Sequence, residues 1–203
     1  MKTRSKALVL TLCAVLLVVA TVMGTMAYLT STDSVTNTFT VGKVAITLDE
    51  AKVNLNGTPV ANADRVKENA YKLIPGHSYT KDPTVHVTAD SEDSYIFVKV
   101  ENGIAALEAQ DNNTIANQIA AKGWMVLDDV ANVYYKVYTS KNTVEDLVVF
   151  ESFKIADAVS GTDAWNAIGD NTKITVTAYA VQKDGFANAK AAWNATFGTT
   201  TNP

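Results

Sequence analysis

Tyr95-Ile96-Phe97-Val98-Lys99-Val100-Glu101 is the stretch whose reading decides the fold. It holds β-branched and aromatic residues with no glycine or proline, and so reads as a strand. Its first four residues are apolar whichever way they point. Both faces therefore need cover, which predicts a central place in a sheet.

Upstream, Val85 and Val87 alternate with Thr84, His86 and Thr88, so residues 77–88 read as a strand with one wet face. Val44, Ile46 and Leu48 alternate with Ala45, Thr47 and Asp49 in the same way. Between these segments, residues 50–70 lose periodicity. Asn56-Gly57, Pro59, Asn62 and Asp64 mark a surface loop, which Pro75-Gly76 closes.

Downstream, residues 124–127, 134–138, 147–155 and 173–182 read as further strands separated by turns. Residues 103–123 are richer in Ala and Gln, with Ile104, Leu107, Ile115 and Ile119 at helical spacing in two short pieces. Asp111 to Thr114 breaks the first piece and caps the second, and Gly123 ends it. Short helices are also expected from Thr162 through Ile168 and from Asp184 to Phe197, the latter with Phe186, Ala189, Trp193 and Phe197 along one side. Seven or eight strands with few helices point to an antiparallel β-sandwich rather than a parallel sheet.

The N-terminus has a different character. Lys2, Arg4 and Lys6 precede an uncharged apolar run, Ala7 to Met26, which ends in Gly24-Thr25-Met26-Ala27. This is the pattern of a signal peptide, with the processing junction expected between Ala27 and Tyr28. The alternative is a permanent anchor, because twenty apolar residues are long enough to cross a bilayer. The small residues at the end of the run, and the lack of a basic residue before Lys43, favour cleavage. Cys13 sits in mid-run after Leu12, which does not fit a lipidated cysteine.

Removing residues 1–27 leaves 176 of the 203, the size of one domain. Three of the 17 Lys and Arg leave with the leader, so 14 stand against 21 Asp and Glu and the net charge falls to −7. An acidic surface argues against nucleic acid or an anionic membrane as partner, leaving membrane contact to the uncleaved leader. The single cysteine leaves too, so the remaining chain has no disulfide chemistry and is held by its core or by assembly.

The leader ending Gly-Thr-Met-Ala is followed by Tyr28-Leu29-Thr30-Ser31-Thr32-Asp33-Ser34 and by Asn37-Thr38-Phe39-Thr40-Val41-Gly42-Lys43-Val44. In these residues the chain resembles the TasA/CalY/camelysin family of secreted bacterial matrix proteins, whose leaders are cut by a SipW-type signal peptidase. Residues 75–82, 95–101 and 177–182 fit the resemblance as well; residues 103–122 and the Trp165 and Trp193 segments depart from it. The resemblance implies a jelly-roll-like sandwich that polymerises into biofilm fibres by donor-strand exchange, either with itself or with another matrix fibre protein. The donor would be residues 28–43, with Val35, Phe39 and Val41 entering a neighbour's groove. A strand added to an open sheet edge satisfies that edge's unpaired N–H and C=O groups. The alternative is that the same segment forms the first strand of its own domain.

Because camelysin-like relatives are classed as metallopeptidases, the enzyme reading needs its residues. Zinc hydrolases need two or three protein ligands and a general base. This chain has only His77 and His86, on a turn and a strand, neither with a Glu at the required offset. Asp90, Glu92 and Asp93 could hold calcium, but the turn lacks the Gly and closing Glu of an EF-hand loop and reads as a solvated acidic turn, like Asp128-Asp129. No nucleophile elbow or phosphate-binding loop is present. Tyr134, Tyr135 and Tyr138 suit cross-strand packing better than a sugar-stacking face.

The expectation is therefore a secreted, non-enzymatic structural protein without cofactor or metal: leader 1–27, donor 28–43, sandwich 44–198 and tail 199–203. A camelysin-like metallopeptidase and a monomeric surface adhesin are the alternatives.

Overall fold

A computed structural model describes residues 44–140, 143–157 and 173–198, together with the backbone of 31–33. The leader, the Ala27–Tyr28 junction, Val35, Phe39, Val41, the helix expected at 162–168 and the tail lie outside the described residues.

The chain is mainly β, and every strand pairing is antiparallel. The strands are β1 (Ser31–Asp33), β2 (Ile46–Asp49), β3 (Ser78–Thr80), β4 (Thr84–Val87), β5 (Ser94–Asn102), β6 (Met125–Val126), β7 (Val133–Tyr138), β8 (Glu145–Val148), β9 (Ser152–Lys154) and β10 (Ile174–Gln182). Helices α1 (Ile115–Ala121) and α2 (Ala189–Phe197) complete the described elements. Five strands form one sheet in the order β1-β10-β5-β7-β6; β2-β4-β8 form a second sheet, and β3 pairs with β9.

β5 occupies the middle of the five-stranded sheet, as its doubly apolar sequence requires, and pairs with β10 over nine residues. Ile96, Val98 and Val100 face the core shared with β2, β4 and β8, where Ile46, Val85, Val87 and Leu147 meet them. Tyr95 and Phe97 face the other way, onto α2, where Trp193 and Ala192 cover them. Asn188 caps α2, its side chain accepting from Ala191 N. The closing helix thus starts several residues later than its apolar spacing predicts, because Lys183 to Asn188 form the turn that leads into it.

Two segments read as single strands are divided. Residues 78–87 break between β3 and β4, and 145–154 break between β8 and β9. The register survives the break: Thr80 lies opposite Ser152, and Thr84 opposite Val148. The two segments therefore form one ribbon that turns a corner. Pro83 is at that corner and lacks the N–H a straight ladder would use; its carbonyl instead accepts from Val149 N, and Lys81 N donates to Glu151 O.

Helix α1 covers the same corner. The buried Gln118 accepts from Glu151 N and Ser152 N through Oε1 and donates to Ser152 O through Nε2, replacing bonds the bend has broken. Thr114 caps α1 through Asn117 N, and Gly123 follows with φ +79°, a conformation glycine adopts at little cost. The first expected helical piece, near Ile104, is a run of turns. The strand expected at 124–127 shrinks to two residues, with Trp124 and Leu127 buried on either side of the exposed Met125 and Val126.

Candidate functional site

The edge strand β1 pairs with β10 of its own chain, with Ser31, Thr32 and Asp33 opposite Ala180, Tyr179 and Ala178. Residues 174–177 of β10 continue past the end of β1. Among the described residues, they have no strand partner on that side. A groove of about 780 Å3 runs alongside them. Leu48 of β2, Ile174 and Val176 of β10, and Tyr71, Leu73 and Phe153 supply its apolar surface, with Lys67, Glu68 and Lys173 at its polar margin.

The loop 50–70 forms one wall, and its backbone is clamped by paired bonds between Glu50 and Val66, 2.8 Å each way. Beside them, Glu50 is buried with its carboxylate divided between two donors. Lys81 Nζ lies 2.6 Å from Oε2, and Asn69 Nδ2 donates to Oε1 at 3.0 Å. Asn69 is held on both sides, since its Nδ2 also donates to Ala51 O and its Oδ1 accepts from Val53 N, each at 2.9 Å. Lys81 Nζ also sits 6.0 Å above the centre of the Tyr71 ring. Burial pushes the Tyr71 phenol up, and the Glu50 and Asp82 carboxylates add to the rise.

Asp49 points to the other face, where charges alternate in a row. Arg65 pairs with Asp49 and, at 2.9 Å, with Asp82. His86 on β4 reaches Asp49 with Nε2 at 3.0 Å and Asp146 on β8 with Nδ1 at 2.6 Å. Burial disfavours the charged forms of Asp49, Arg65 and His86, but hydrogen bonds among them and to Asp82 and Asp146 outweigh it. Asp49 is held below its usual range, and Arg65 and His86 above theirs.

His86 is thus a tie between three strands rather than a free solvent-facing residue. Its two nitrogens point in opposite directions, so Asp49 and Asp146 cannot converge with it on one ion. His77 Nε2 lies 2.8 Å from Asn56 O. Among the described residues, no three His, Cys, Asp or Glu side chains are grouped to hold a metal ion.

The acidic turn carries Asp93, which accepts from Ser140 N, and Glu92, which accepts from Gln182 Nε2. Asp129 pairs with Lys190. Tyr134 and Tyr138 pack on the core side of β7, and Tyr135 packs toward α2, so the three form no common face.

Sequence reading did not single out Glu50, Asn69 and Lys81. No spacing links three polar residues spread over a loop and a strand end; the fold alone unites them. Among the described residues, no helix is long and apolar enough to cross a membrane. Comparison with protein-family models, with curated proteins and with solved structures finds no match for this chain.

Proposed function

We propose that this chain is a secreted structural protein that polymerises into extracellular biofilm-matrix fibres, each copy donating its N-terminal segment 28–43 to the next copy's jelly-roll-like sandwich. One observation carries the reading: among the described residues, β10 extends four residues past its pairing with β1, beside an apolar groove. Unpaired edge groups are a template for another strand.

The register adds support. Continuing the β1–β10 pairing one residue at a time brings Val35 opposite Val176. Along β10 the even-numbered residues Ile174, Val176, Ala178 and Ala180 face the core. A donor in this register therefore turns its odd-numbered residues inward, among them Val35, Phe39 and Val41, while Ser34, Thr36, Thr38 and Thr40 turn outward. Asn37 shares the inward side, opposite Ile174. The three-residue pairing within one chain does not oppose this, because an identical strand from a second copy can replace it, as in domain swapping.

The test is the double variant Val35→Cys/Val176→Cys in a chain beginning at Tyr28, which has no other cysteine. Directly opposed strand residues lie about 4.5–5.5 Å apart, within reach of a disulfide. Donation between copies gives a ladder of oxidised multimers on a non-reducing gel, collapsing to monomer on reduction. A product that is monomeric and internally cross-linked at every protein concentration overturns the proposal.

A further inference from the structure

The trio on the groove wall, with Glu50 buried and Lys81 and Asn69 partly so, has an arrangement that polymer formation does not call for. An amine, a carboxamide and a carboxylate meet there, and the carboxylate contacts the other two. We propose that Lys81 and Asn69 join in an intramolecular isopeptide bond, with Glu50 as the catalytic proton carrier.

The contacts assign the proton transfers and the oxyanion partner, and one carboxylate holds the two reacting groups next to each other. Glu50 Oε2 takes a proton from Lys81 Nζ across the 2.6 Å contact and frees the amine's lone pair. Nζ attacks Cγ of Asn69, forming the new C–N bond. The negative charge that develops on Oδ1 meets the Val53 N–H already bonded there at 2.9 Å, the role of an oxyanion-hole donor. Glu50 then passes its proton to Nδ2, 3.0 Å from Oε1, and the Cγ–Nδ2 bond breaks. Ammonia leaves, and the second proton lost by the Lys81 nitrogen goes with it as ammonium, by way of Glu50. Nothing is oxidised or reduced, and no external reactant is consumed.

The surroundings suit the reaction. The Lys81 and Glu50 side chains are 11% and 5% exposed, so little water competes for the amine and the carboxylate. Asn69 is fixed by three hydrogen bonds, so its carbonyl carbon is presented without a search over rotamers. The product ties the loop 50–70 to the β3–β4 corner in a chain whose one cysteine is at position 13. Such a closure stabilises the fold as a disulfide would, by constraining the unfolded chain.

This inference stands apart from strand donation and is tested separately, by mass spectrometry on the denatured protein. The expected intact mass is that of the chain from Tyr28 to Pro203 less one ammonia. The expected tryptic map joins residues 68–72 to residues 73–99, with no cleavage after Lys81. Lys81→Arg and Glu50→Gln should both restore the full mass. An unmodified intact mass, with peptides ending separately at Lys72 and Lys81, overturns the proposal. Ammonia loss mapped elsewhere, such as succinimide at Asn56-Gly57, overturns it equally. A linked Glu50→Gln chain removes Glu50 from the chemistry.

Discussion

Asp49 ends β2 and Glu50 follows it, bridged to Val66; the two carry the same charge yet meet opposite conditions. The strand's alternation sends Asp49 to the outer face and Glu50 inward. Asp49, its side chain 25% exposed, joins a row of charges open to water; Glu50, 5% exposed, is closed in with Lys81 and Asn69. A carboxylate in water keeps its hydration when a partner is lost. A buried one does not, and neither do the donors it serves. The outer cluster is therefore tunable, while the inner one has to be complete.

The largest expected effect tests the inner half of that contrast. Glu50→Ala leaves the Lys81 amine and one Asn69 donor without their acceptor in a buried site, and should cost about 3–5 kcal/mol in urea unfolding. A loss below about 1 kcal/mol would show that the site is not closed to water.

Next is Arg65→Ala on the outer side. The side chain is 35% exposed, and its loss should cost about 1 kcal/mol by the same measurement. A loss equal to that of Glu50→Ala would break the distinction between the two clusters.

The smallest effect is one of pH. The folded-state pKa of His86 is raised above the ordinary 6.5, so its protonated form stabilises the fold fully below that value. The contribution disappears as pH rises through the higher folded value. Stability should fall modestly from mildly acid to mildly alkaline solution, and His86→Asn should flatten that slope. An unchanged slope would remove His86 from the tie between β2 and β8.

The strands were largely legible because their signals are local. The doubly apolar run at Tyr95–Val98 had to be covered twice, and it is. The corner was not legible. Val149 and Phe150 continue an apolar run without a break, and only pairing with the segment that contains Pro83 bends it. Phe186, Trp193 and Phe197 all join the aromatic cluster under α2, as their spacing predicted, although the helix begins only after the Asn188 cap.

The sequence alone determined which segments are strands, which face of each is apolar and that β5 is central, because period and side-chain volume are properties of neighbouring residues. The tertiary structure decided which strands pair and which polar groups meet. Glu50, Asn69 and Lys81 are separated by loops whose paths depend on every other contact, and no local rule brings a carboxylate, an amide and an amine together across that distance.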